Sequence, residues 1–240
     1  MIPLTSLRKP ERIPWITYAI IAVNFVVFFW ELTLSESELT NKFFTLALIP
    51  CHVGAAPFPE TGSHIIFSMF LHGGWLHILG NMLFLFIFGP NVEDYLGKIR
   101  YLLFYLVAGF GSALAHTLIY WGSCGEGLGS VPVIGASGAI YGVMGAFVLL
   151  YPGTRIRTLA FFWGIPVGTV SVRAFYMLFW FFFIDLINGL ASLGVSNTGT
   201  GGVAVWGHVG GFVVGLLLAF TFMMFREPPK VDPFENLGEN

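Results

Sequence analysis

Charge is what this chain has least of. Asp, Glu, Lys and Arg make up 10% of its 240 residues, where an average soluble domain carries about 25%. So few charges cannot clothe a water-facing surface, which excludes a soluble globular protein. The charge that remains sums to −2 at pH 7, which offers no basic field to attract nucleic acid. Cysteine is nearly absent. Cys51 and Cys124 form no C-x-x-C pair, which argues against a cysteine-based zinc site. No long-period repeat occurs, so a solenoid is excluded. Apolar residues fill the space instead, 56% of the chain with 26 phenylalanines, as expected of an integral, multi-pass membrane protein in contact with lipid.

A helix needs about 20 mainly apolar residues to cross the hydrocarbon core. Six segments qualify: Pro14 to Leu34, Gly73 to Phe88, Tyr101 to Trp121, Val133 to Tyr151, Val172 to Leu193 and Val203 to Phe225. The second and fourth are short, and reach a sufficient length if their ends sit in polar protein. With the N-terminus inside, the inner segments hold Arg8, Lys9, Arg12, Lys98, Arg100, Arg155, Arg157, Arg173, Arg226 and Lys230, leaving one of the 11 basic residues, Lys42, outside. That bias places both termini in the cytoplasm and suits an even number of spans. The first apolar run ends in Trp30-Glu31-Leu32 with no small-residue cleavage site, so it reads as a retained span rather than a signal peptide. The expectation is a prokaryotic plasma membrane and an all-α, six-helix bundle. A cytoplasmic segment covers 1–13, the membrane domain 14–225 and a loosely ordered acidic tail 226–240. The outer loop 35–72 is too long for a simple connector, and short helices lying partly in the membrane interface are expected there.

Two glycine-rich segments carry the chemistry. Gly135-Ala136-Ser137-Gly138 opens the fourth span, and Gly207-His208-Val209-Gly210-Gly211 lies in the sixth. The second, fourth and sixth spans run in one direction, so Ser137, His208 and the pair His77 and Asn81 share roughly one depth. His77 and Asn81 are four residues apart and share a helix face, as do Ser137 and Tyr141. Gly138, Gly142 and Gly145 form one small-residue strip, and Gly207, Gly211 and Gly215 another. Such strips let membrane helices approach closely. Close approach is what a serine nucleophile needs to meet a histidine base. His77, Asn81 and the Ser137 N–H would serve as oxyanion donors. Each feature alone has a plainer reading. A lone membrane serine bonds a backbone carbonyl, a lone asparagine glues helices, and a glycine strip only packs. Their convergence at one depth favours chemistry.

These segments resemble the rhomboid family of intramembrane serine proteases. Gly135 to Gly142 is similar to its GxSG nucleophile motif, Gly207 to Gly215 to its histidine motif, and His77-Ile78-Leu79-Gly80-Asn81 to its H-x-x-x-N oxyanion pair. The resemblance implies a Ser137–His208 dyad without an acidic member, with Tyr141 packed on His208 in its place. It implies an oxyanion site at His77 and Asn81, and support of the dyad by Gly135 and Gly138. It implies single-pass membrane substrates cut near the outer end of their transmembrane segment, and no metal or cofactor. It also implies that Glu93 braces the inner end of the second span. The first outer loop lacks the Trp-Arg pair that many members carry.

Other features stay open at this point. Asp185, near the middle of the fifth span, reads either as a third catalytic group or cavity wall, or as a protonated or water-exposed residue. The second is preferred, since burial of an ionised group there costs about 2.5–3.5 kcal/mol on insertion scales. Cys51 and Cys124 both fall on the outer side, and an unpaired state is preferred because pairing needs close Cα atoms. His64, His72 and His116 are irregularly spaced and read as solvated or cavity-lining. The aromatic run from Phe175 to Phe183, with Phe179 and Trp180 foremost, reads either as a lateral gate against Phe84 and Phe88 or, for any single residue, as a side chain that merely faces lipid. The alternative function is a non-catalytic binder or escort of transmembrane segments. Retention of both Ser137 and His208 favours the enzyme.

Overall fold

The computed structural model describes residues 1–55, 57–121, 124, 128–193 and 204–226. Four helices are long and apolar enough to cross a membrane: α4 (Trp75–Leu96), α5 (Lys98–Tyr120), α7 (Ala174–Ser192) and α8 (Val205–Phe225). Two shorter apolar helices accompany them, α1 (Trp15–Glu31) and α6 (Ser137–Leu150). The acidic tail beyond Arg226 lies outside the described residues. Side chains such as Tyr176, Trp180, Leu217 and Phe220 stand more than half exposed on α7 and α8. An apolar exterior of this extent belongs against lipid, and the protein is an integral membrane protein.

Helix α6 is short for a reason. It is flanked by α4, α5, α7 and α8, and every residue from Gly138 to Val148 except Tyr141 is buried. A helix enclosed by other helices need not match the bilayer thickness with its own length. Its approach is equally close. A Cβ at Gly211 of α8 would fall on the Gly138 carbonyl oxygen, and one at Gly215 on the Gly142 carbonyl oxygen. Glycine is required at both positions because backbone, not a yielding side chain, fills the space. Gly138 itself faces another helix: a Cβ there would meet the Ser112 side chain of α5.

The expected short helices of the outer loop are α2 (Glu36–Leu46), a 3₁₀ turn at Pro50–His52 and α3 (Phe58–Ser68). Ser35 and Glu38 form a reciprocal capping box at the start of α2, the reason that polar helix begins where it does. Cys51 and Cys124 are joined in a disulfide, their Cα atoms 5.5 Å apart, which corrects the expectation of free thiols. Seventy-three residues separate them in sequence, and only the tertiary fold brings them together.

Helix α1 has no capping side chain of its own. Glu93 of α4 supplies the cap, accepting hydrogen bonds from the Ile16 and Thr17 backbone N–H groups at 3.0 and 2.8 Å and from the Thr17 hydroxyl at 2.8 Å. A carboxylate on those orphan donors satisfies them and suits the positive end of the helix dipole.

The all-α expectation is corrected by a three-stranded antiparallel sheet. Strand β1 (Ile2–Ser6) pairs with β2 (Arg155–Phe162), and β2 with β3 (Ile165–Arg173). The β2–β3 turn is Trp163-Gly164, both at positive φ, 51° and 82°, the geometry favoured by two-residue hairpins. Alternation on β2 turns Ile156 and Thr158 inward and leaves Arg155 and Arg157 half-exposed, the period-2 signature of a half-buried strand. Arg155 and Arg157 therefore serve two patterns at once, the basic charge of a connector between spans and the outward positions of a strand.

Candidate active site

Ser137 is the first residue of α6, rather than lying several residues inside a helix. The preceding segment is extended and pinned from outside. Val133 N–H donates to Leu48 O and Gly135 N–H to Ser68 O, each at 2.8 Å. Gly135 adopts φ +119°, and a Cβ there would stand 2.6 Å from His77 Nε2. Only glycine allows both the conformation and the approach of the imidazole. Because Ser137 begins the helix, its N–H belongs to the first turn, where no intrahelical acceptor exists.

Ser137 Oγ lies 2.8 Å from His208 Nε2, and His208 Nδ1 lies 2.8 Å from Asp185 Oδ2. The Tyr141 ring stacks on the His208 ring, with centroids 4.2 Å apart and planes 9° from parallel. Asp185 is therefore neither a bystander nor water-exposed; its side chain is 14% exposed and occupies the far edge of the imidazole. Residues from α6, α7 and α8 meet here, and the glycine contacts Gly211–Gly138 and Gly215–Gly142 set the spacing of α6 and α8. Gly207 and Gly142 belong to the same close-packed region: a Cβ at Gly207 would reach Ser112 Oγ at 3.0 Å, and one at Gly142 would reach Ala108 Cβ at 2.5 Å.

His77 and Asn81 line the same cavity of about 800 Å³ as Ser137, Tyr141 and His208. His77 Nδ1 accepts from the Gly73 N–H at 3.3 Å. A neutral imidazole that accepts at Nδ1 carries its proton on Nε2, the nitrogen turned toward Gly135. Asn81 Nδ2 is buried and has no hydrogen-bond partner. An unpaired buried donor costs about 1–3 kcal/mol, and this one lies at the cavity wall, available to whatever anion or carbonyl enters. His116 also lines the cavity. His72, just before α4, is pushed down to about 4 chiefly by burial, so it is neutral beside His77, ring centroids 5.1 Å apart. Among the described residues, no group of three or more His, Cys, Asp or Glu is placed to hold a metal ion.

Phe84 of α4 and Phe181 of α7 meet edge to face at 5.4 Å and both line the cavity. The expected gate aromatics are partly reassigned. Phe88 is fully buried against Phe147, Phe179 packs among Phe175, Phe182 and Phe212, and Trp180 points outward.

Asp185 is the residue whose placement sequence reasoning missed. The available signal was an ionisable group in the middle of an apolar segment, which by default marks a functional position. Its partner is 23 residues away on another helix, so spacing alone does not reveal the contact.

The family model for the Rhomboid domain matches residues 59–225. The chain is 31% identical over 156 residues to RHOMBOID-like protein 1 of Arabidopsis thaliana, covering 65% of this chain and 33% of that protein. It is 27% identical over 226 residues to Rhomboid protease AarA of Providencia stuartii, covering 90% of this chain and 75% of that one. It is 31% identical over 161 residues to Rhomboid protein 1, mitochondrial, of Saccharomyces cerevisiae, covering 64% and 41%. The chain spans about a third of the length of the first Arabidopsis relative. Plant, bacterial and mitochondrial relatives appear together, so they lend no support to a prokaryotic plasma membrane in particular. The matched region takes in α3 through α8 with Ser137 and His208 inside it, and this chain belongs to the Rhomboid family.

Proposed function

We propose that this protein is an intramembrane serine endopeptidase that cuts single-pass membrane proteins near the outer end of their transmembrane segment. The observation that carries the reading is the 2.8 Å contact between Ser137 Oγ and His208 Nε2 at a cavity wall. It is supported by membership of a family with members named proteases. The proposed topology is six spans, α1 and α4 to α8, with both termini cytoplasmic and the membrane domain covering 14–225.

Ser137 Oγ attacks the scissile carbonyl carbon while its proton passes to His208 Nε2. The oxyanion so formed is met by the Ser137 N–H, His77 Nε2–H and Asn81 Nδ2–H, donors in place before the charge develops. The tetrahedral intermediate collapses, and the leaving amine departs with the proton from His208. Water then attacks the acyl-enzyme, giving its proton to His208, and the carboxylate product leaves as Ser137 regains a proton.

The test is to reconstitute the purified protein in liposomes with a single-pass substrate and to identify the fragments by mass spectrometry. Cleavage within the outer third of the substrate's transmembrane segment, after a small residue, is expected. Stable retention of the substrate without cleavage would replace this reading with the non-catalytic binder.

Asn81→Ala is expected to lower kcat by about 10²–10³ with little change in KM, because an oxyanion donor acts only after attack begins. A raised KM at unchanged kcat would move Asn81 to substrate binding.

A substrate helix must come in sideways from lipid and unwind, since a helix hides its carbonyls in its own hydrogen bonds. The Phe84–Phe181 contact is the proposed latch between α4 and α7. Phe181→Ala should speed cleavage of a membrane-embedded substrate several-fold and leave hydrolysis of a short soluble peptide unchanged. Equal effects on the two substrates would remove the latch from the scheme.

A further inference from the structure

We infer that Asp185 is a positioning residue that fixes the tautomer of His208 and completes a Ser–His–Asp arrangement in a family motif whose resemblance implies only a dyad. The inference rests on the protease reading for its kinetic consequence, though not for its geometry.

A neutral imidazole carries one proton on either of two nitrogens, and only one arrangement can activate Ser137. The base must present a lone pair at Nε2, so the proton must sit on Nδ1. Tyr141 does not make that choice. Its ring lies on the imidazole face at 4.2 Å and 9°, which restrains tilt and translation but is indifferent to which edge nitrogen is protonated. Asp185 Oδ2 lies at the edge, 2.8 Å from Nδ1. A carboxylate only accepts, so this contact demands Nδ1–H and leaves Nε2 free for the Ser137 hydroxyl at 2.8 Å. The Asp185 and His208 side chains are 14% and 10% exposed. With so little water at this edge, the carboxylate is the acceptor that settles the tautomer.

The same contact serves the next step. When His208 takes the serine proton, the imidazolium has two N–H groups, one directed to the reacting oxygens and one to Asp185. The carboxylate stabilises that charge through a charge-assisted hydrogen bond and does not itself take the proton. Asp185 also interacts with Tyr141, so one side chain contacts both the base and the ring stacked on it. Because Asp185 lies on α7 and His208 on α8, the arrangement is complete only while α7 is docked on α8.

The discriminating variant is Asp185→Asn, nearly isosteric and still able to hydrogen-bond across α7 and α8. Its amide N–H₂ can donate to Nδ1, which places the imidazole proton on Nε2, the wrong side for the base. The measurements are kcat and KM on the reconstituted substrate, the labelling rate of Ser137 by a fluorophosphonate, the thermal midpoint, and the ¹⁵N shifts of His208 in histidine-labelled protein. Expected are a kcat lower by about 10² or more, KM within about twofold, labelling slowed in parallel and an unchanged midpoint. The Nδ1–H tautomer should be present in the unsubstituted protein and lost in Asp185→Asn. Asp185→Glu, which keeps the carboxylate, should recover part of the rate. Full kcat in Asp185→Asn, or an Nε2–H tautomer in the unsubstituted protein, overturns the inference. So does a fall in rate that merely follows a fall in thermal midpoint with the tautomer unchanged, since that is a tether between helices. If the unsubstituted protein cleaves nothing, the protease reading fails, while the ¹⁵N shifts still test the placement of the proton.

Discussion

Ser137→Ala is expected to abolish cleavage of a reconstituted single-pass substrate, lowering kcat by about 10⁴ or more. The variant should fold and melt as the unsubstituted protein does, because it removes one hydroxyl whose partner, His208, keeps its hydrogen bond to Asp185 and its stacking on Tyr141. His208→Ala should be as inactive for a different structural reason. It removes the base, leaves the Asp185 carboxylate without the partner at 2.8 Å and strips the stacked ring from Tyr141. A buried charge deprived of its partner destabilises, so this variant should also melt earlier. The double variant should be no slower than either single one, since the two groups act as a unit. Additive losses in the double variant, or appreciable cleavage by Ser137→Ala, would show that the serine and histidine do not act together on the substrate.

The second large effect is expected from packing. Gly211→Val places a side chain on the Gly138 carbonyl oxygen, and Gly215→Val places one on the Gly142 carbonyl oxygen. Neither obstacle is a side chain that can rotate away, so α6 and α8 must separate. Overpacking costs typically about 1–3 kcal/mol, and a shift of about 1 Å between catalytic groups can cost 10² in rate. Both variants should lose activity and melt earlier. Gly62→Ala, where a Cβ meets nothing within 4 Å, is the control and should do neither. If Gly211→Val kept full activity and an unchanged melt, the close approach of α6 and α8 would not be what positions His208.

The helical segments were legible because lipid and water impose a coarse rule on the sequence. Runs near 20 apolar residues with flanking basic residues stand out, and the boundaries of α5, α7 and α8 fall within a few residues of the segments read from hydropathy. The extent of α6 was not legible. A helix enclosed by its neighbours is freed from the bilayer's length requirement, and its start at Ser137 is set by hydrogen bonds to Leu48 and Ser68 in the distant outer loop. The β2–β3 hairpin is not legible because the basic residues in its alternating Arg-Ile-Arg-Thr-Leu run also satisfy the charge bias of a connector between spans, so the period-2 signal has a second explanation. Gly211 and Gly215 could be picked out by their spacing. That the Cβ position of Gly138 points at Ser112 of α5 while its carbonyl meets Gly211 of α8 could not.

What the sequence by itself determined is the set of chemical groups and the faces on which they lie. Ser137 with Tyr141, and His77 with Asn81, share helix faces because four residues make about one turn, and glycine repeats at that spacing mark where backbones can touch. Only the tertiary structure decided which groups meet across helices. The Asp185–His208 contact, the Cys51–Cys124 disulfide and the Phe84–Phe181 pair each join residues on separate elements. Their distances depend on how helices rotate and translate against one another, which local periodicity does not encode. Between α6 and α8 the closest approach is backbone to backbone, at Gly211 on Gly138 and Gly215 on Gly142, so the helices that carry Ser137 and His208 meet where no side chain intervenes.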